Sequence, residues 1–311
     1  MSQDLFDAPW AEPFKAWSDQ PFFEGESLSL AVLNQLATQE GVTNRRGFAV
    51  RFVGLPAHLF KLPAVGSVQA AEMRSHGAHC PADSAARYEQ RIWQHGEILT
   101  RTTGDERWHD FFNAMVWLRF PRLKSCLNDF HVRSMVDSTN AVETMAMNEA
   151  ADLPEPEAQT AHVSRAAPAV RRRGRLRDRV TLFDEGGALV LTRDRSLIEE
   201  LAAFDWESLF VRRRQTFVSQ LRVVLVGHAL HQKLRNPYKS LCAQCVALDV
   251  APDSDWPAVD AAASAALQDG QLLRRPFMPL PLLGIPGWCA DNQDPAFYND
   301  RHVFRPGRRV R

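Results

Sequence analysis

Trp108-His109-Asp110-Phe111-Phe112-Asn113-Ala114-Met115-Val116-Trp117-Leu118-Arg119-Phe120-Pro121 sets His, Asp and Asn among large apolar residues at a spacing that suits a helix. Thr103-Gly104-Asp105-Glu106 just upstream fits a capping box, in which hydroxyl and carboxylate satisfy exposed amides reciprocally. Pro121 supplies the stop by disfavouring helical geometry in the residue before it. At about 100° per residue, Trp108, Phe111, Phe112, Met115 and Leu118 share one side. His109, Asp110, Asn113, Ala114 and Trp117 share the other, with none of the Glu and Lys of a solvated face. The spacing therefore predicts a helix over 104–120, buried on both sides, with a polar cluster facing a second layer or a cleft.

Working outward, Ser27–Thr38 reads as an apolar-faced helix closed by Gly41, Phe48–Val53 as a strand, and Asp83 or Ser84 to His95 as a helix ended by Gly96. Val180-Thr181-Leu182-Phe183 and Ala188-Leu189-Val190-Leu191 flank Asp184-Glu185-Gly186-Gly187, a pattern expected of a hairpin. Further along, Asp194 or Ser196 and Asp255 are helix caps, and a strand over Leu221–Val226 runs into Gly227-His228 and a short helix. The expectation is an α+β fold in a single domain over 1–311, with helices around a small mixed or antiparallel sheet. An N-terminal arm (1–26) and a Pro-rich C-terminal wrap (274–311) flank it. Residues 149–176, dominated by Ala, Pro, Glu, Gln and Arg, read as a flexible insert that cannot bury enough surface to offset its ordering entropy.

The chain has 311 residues, 45% hydrophobic and 24% charged, a composition able to bury a core. Lys plus Arg equals Asp plus Glu at 37 each, so no global field recruits nucleic acid or a membrane. The N-terminus lacks the basic and apolar regions of a signal peptide, and no apolar run suits a bilayer span. Five cysteines without framework spacing point to free thiols in a reducing compartment. A cytoplasmic protein without a membrane partner is expected.

Several stretches carry a resemblance: Trp108–Asn113, Thr181–Glu185, Gly227–Leu230, Pro279–Trp288, Phe297–Asp300 and Val303–Pro306. In this order they are similar to the bacterial family known as domain of unknown function 3025, over roughly residues 40–309. The resemblance implies a shared fold and brings no reaction, cofactor or partner with it.

The chemistry is read from the residues. His109 and Asp110 suit either metal ligation or an acid–base His oriented by a carboxylate, with Asn113 one turn on; the bland alternative is a buried polar network. His228, between a strand and a helix N-terminus, is expected neutral and able to act as ligand or general base. Asp184 and Glu185 are ordinary turn residues that could also complete a metal site. The favoured function is a hydrolase with catalytic His109, Asp110, Asn113 and His228. A divalent metal would sit on His109, Asp110, His228 and Asp184, and Arg119 and Trp117 would hold a small anionic substrate. The rival is a binding protein that grips nucleic acid or an acidic partner through Arg171, Arg172, Arg173 and Arg175. Cys242-Ala243-Gln244-Cys245 lacks the second ligand pair of a zinc site and reads as two small buried hydrophobes.

Overall fold

The computed structural model describes residues 3–55, 81–135, 168–270 and 276–307, with backbone alone at 3–4, 81–86 and 168–176. The architecture is α+β. Its centre is a mixed four-stranded sheet in the order β6-β5-β7-β8, formed by β5 (Gly187–Leu191), β6 (Arg222–Leu225), β7 (Cys242–Leu248) and β8 (Met278–Pro281). β5 is antiparallel to β6 and parallel to β7, and β7 is antiparallel to β8. Two small pairs stand apart: β1 (Phe23–Glu24) with β2 (Ser27–Leu28), and β3 (Arg51–Gly54) with β4 (Glu97–Thr100).

Alternation along these strands divides the interior. Leu189, Leu191, Val224 and Leu248 point into one core, together with Phe111, Met115, Trp117 and Val259. Ala188, Val190, Leu225, Ala243 and Leu280 point into the other, with Phe210, Leu282 and Phe304. Every residue of β5 is buried, as suits a strand paired on both edges and covered on both faces.

The helices follow in chain order: α1 (Gln3–Asp7), α2 (Leu30–Gln39), α3 (Pro81–His95), α4 (Glu106–Arg119), α5 (residues 121–135), α6 (Pro168–Gly186), α7 (Arg195–Ala203), α8 (Arg214–Gln220), α9 (His228–Lys233) and α10 (Trp256–Gln268). Asp194 and Asp255 cap α7 and α10 by accepting from Ser196 N and Ala258 N, as their positions predict. α4 is buried continuously from Asp110 to Leu118.

Four expectations are corrected. Val180–Phe183 is not a strand but the last turns of α6: Val180 and Phe183 are buried and Leu182 is 46% exposed, a helical spacing that overrides the local β-branched character. Asp184-Glu185-Gly186 is accordingly a helix end and not a hairpin tip. The capping box is not formed, since no side chain caps α4 and the Glu106 carboxylate takes a hydrogen bond from Arg101 instead. Residues 168–176, placed in the insert by composition, are helical backbone of α6. β7 carries too little periodic signal in its Cys-Ala-Gln-Cys start to be seen beforehand, yet it is the sheet's second internal strand.

Candidate functional site

Three helix ends meet at one point. His109 projects from the first turn of α4, Glu185 from the last turn of α6, and His228 opens α9. Close backbone approach brings them together. A Cβ on Gly227 would lie 2.5 Å from Gly187 N and 2.6 Å from Glu185 O, so only glycine lets the start of α9 sit against the end of α6. Val226 N and Gly227 N both donate to Gly187 O, which locks that contact.

His109 Nε2 and His228 Nε2 lie 3.1 Å apart, their rings nearly perpendicular at 83°. The Glu185 carboxylate is 3.8 Å from each nitrogen, Oε2 towards His109 and Oε1 towards His228. One ligand-type atom from each of the three residues falls within 4.8 Å of the others. Two metal–nitrogen bonds of ~2.0–2.1 Å at a near-tetrahedral angle would separate the nitrogens by ~3.3 Å, so the spacing suits a shared ion.

Each imidazole presents its other nitrogen to a carboxylate. His109 Nδ1 donates to Asp110 Oδ1 at 3.1 Å, and Asp110 is held by the Arg101 guanidinium at 2.6 and 2.9 Å and by Arg101 N at 2.6 Å. His228 Nδ1, which has no hydrogen-bond partner among the described residues, faces Asp184 Oδ2 at 3.9 Å. The other Asp184 oxygen is ion-paired with buried Lys124. An alternating row of charge, Arg101–Asp110–His109–His228–Asp184–Lys124, therefore runs through the site.

The electrostatics follow from that row. Burial opposes a proton on His109, but the hydrogen bond to Asp110 and then the nearby Glu185 carboxylate outweigh it and raise the imidazole to about 9. Burial lowers His228 to about 4, so it is neutral. His109 Nε2–H then donates to His228 Nε2. Burial likewise opposes ionisation of Asp184, and Lys124 followed by His228 overcomes it, holding the acid at about 2. Asp110 is also held low, by Arg101 and His109 against burial, and Glu185 is lowered first by its bond to His109.

All of these groups line a cavity of about 900 Å³, with Asn113 and Trp117 of α4 on the same wall. Asn113 Nδ2 donates to the Tyr88 hydroxyl at 3.1 Å, and burial pushes that phenol well above its usual range, so it keeps its proton. The sequence reading missed Arg101, Tyr88 and Lys124. Tyr88 shares a stripe of α3 with Ile92, a signal that it faces inward. Lys124 offered none, because a buried lysine is legible only through its partner.

Three placements change the sequence-based assignment. Glu185, not Asp184, stands with the two histidines, since Asp184 is committed to Lys124. Asp110 lies behind His109 as its orienting carboxylate and is not among the converging ligands. Arg119 leaves the site altogether: its Nε donates to Pro13 O at 2.6 Å and its guanidinium lies 4.1 Å over Trp17. Cys242 and Cys245, three apart on a strand, point to opposite faces, and burial raises both thiols, so they form no dithiol site. The side chains of Arg171, Arg172, Arg173 and Arg175, and residues His58, His76, His79 and Cys80, lie outside the described residues. Among the described residues no helix is long and apolar enough to cross a membrane.

The model of the family described as "Protein of unknown function (DUF3025)" matches residues 76–155 and 156–308, and the chain belongs to that family. No curated protein and no solved structure matches the chain.

Proposed function

We propose that the protein is a metal-dependent hydrolase whose divalent ion is held by His109 Nε2, His228 Nε2 and the Glu185 carboxylate. The observation that carries this is the pair of Nε2 atoms 3.1 Å apart with a carboxylate 3.8 Å from each, on a cavity wall. Metal-bound histidines characteristically present their second nitrogen to a carboxylate, as Asp110 and Asp184 do here. Two His and one Glu leave a coordination position open, the mark of catalytic rather than structural sites. A bound divalent ion there supplies Lewis acidity and lowers the pKa of a coordinated water.

Arg101 and Asp110 keep the His109 ring aimed at the point where His109, His228 and Glu185 would hold the ion. Tyr88, neutral and fixed through Asn113, stands in the same cavity as a hydrogen-bond donor to developing negative charge.

Elemental mass spectrometry of untagged, unchelated protein tests the reading, beside His109→Ala and His228→Ala variants shown to be folded by circular dichroism. The expected result is close to one zinc, manganese or iron per chain in the wild type and almost none in either variant. No metal in the wild type after reconstitution, or equal metal in the variants, would overturn it.

A further inference from the structure

The cavity that carries the histidine cluster is long. Its wall follows α5 from Lys124 to Met135, on the order of 16 Å of axis at 1.5 Å per residue, and α4 from His109 to Trp117, about 12 Å. The cluster lies at the Lys124 end, because Lys124 pairs with Asp184, the chain neighbour of Glu185. Away from it the wall is largely hydrocarbon: Ile92 of α3, Leu99 of β4, and Leu127 and Met135 of α5.

Two polar side chains within that stretch are turned on one another. Asn128 Nδ2 donates to Glu89 O at 2.9 Å and Glu89 Oε2 at 2.7 Å. Burial also raises the Glu89 carboxyl above its ordinary range. His131 of α5 and Arg87, Gln90, Arg91, Gln94 and His95 of α3 line the cavity as well. A compact phosphoester would meet the cluster and leave the apolar length unfilled. A molecule with a hydrolysable head and a hydrocarbon tail would use both.

We propose that the substrate is an acyl compound with a straight aliphatic chain, its acyl carbon at the His109–Glu185–His228 cluster and its chain along Ile92, Leu99, Leu127 and Met135. This rests on the metal-dependent reading above. In the reaction the oxygen of water bonds to the acyl carbon, and the bond from that carbon to the leaving nitrogen or oxygen breaks. One proton of the water passes to the leaving group, the other is released by the carboxylic acid formed, and the products are a fatty carboxylate and an amine or alcohol.

Straight-chain hydroxamates of two, four and eight carbons, titrated calorimetrically into zinc-loaded protein, test the chain and the metal separately. Each methylene placed in an apolar wall is worth up to about fourfold in affinity, so octanohydroxamate should bind at least tenfold more tightly than acetohydroxamate. Leu99→Glu, which sets a carboxylate in the half-buried wall, should erase that gain with chain length. Acetate, butyrate and octanoate titrated into metal-free protein read the same wall without the ion. A chain-length gain only in this second series would keep the acyl site and sink the metal reading. Acetohydroxamate binding with no gain from longer chains in either series would do the reverse, overturning the acyl proposal and leaving the metal site standing. Flat series with no binding at all overturn both.

Discussion

His228 and His231 stand one turn apart on the same six-residue helix, and both are buried and lowered to about 4 by burial. Their surroundings differ completely. His228 meets a second imidazole and two carboxylates. His231 stacks on Phe112 at 5.5 Å, packs against Phe14 at 5.0 Å, and binds Leu225 O through Nε2 at 3.3 Å. The first has a ring nitrogen, Nδ1, with no hydrogen-bond partner among the described residues. The second is a core residue whose polar atom has a partner. Burial and pKa alone do not tell these two histidines apart; the company each keeps does.

The largest effect expected from breaking this contrast is on metal affinity. Removing an outer carboxylate typically costs 10–100-fold, so losing a ligand in His228→Ala should cost well over about 100-fold, with a folded chain. Zinc titration against a competing chelator reads it. His231→Ala should do the opposite, leaving zinc affinity within a few fold and costing roughly 2–4 kcal/mol of stability in urea unfolding, the range for truncating a large packed side chain. If His231→Ala lost metal as fully as His228→Ala, the division of roles would be wrong.

Acid sharpens the same contrast. His231 titrates at about 4 when folded against about 6.5 unfolded, so between these values the unfolded chain binds the extra proton. Its contribution is fully present above about pH 6.5 and is lost as pH falls through 4, up to about 3 kcal/mol in all. Urea midpoints measured from pH 7 to 4 should therefore fall less steeply in His231→Phe than in the wild type; parallel curves would contradict the assignment. The smallest effect concerns Asp110. Asp110→Asn keeps the shape behind His109 but removes the negative charge, and zinc affinity should drop about 10–100-fold.

Much of the site was legible residue by residue. The polar side of α4 named His109, Asp110 and Asn113 because a face without Glu or Lys cannot be solvated. Gly227-His228 between strand and helix named the second histidine, and the paired acids at 184–185 were noted as possible additional carboxylates. The reading failed where a local pattern had two physical solutions. Val180–Phe183 has β-branched and aromatic residues at a density that suits a strand, yet its burial follows a helical period. Arg119 sits on the helix that carries the site, but at the far end, where Pro13 and Trp17 take it.

What the chain order determined was most of the helices and their buried faces, because periodicity, caps and glycines act over a few residues. Asp194 and Asp255 cap their helices with no help from afar, and Gly227 permits close backbone approach where it stands. Only the tertiary structure decided which acid joins the histidines. Asp184 and Glu185 are adjacent and chemically alike. Lys124, 60 positions away, claims Asp184 and leaves Glu185 to face both Nε2 atoms. A charge buried in low dielectric must find its opposite, and which opposite is nearest depends on packing across the whole chain.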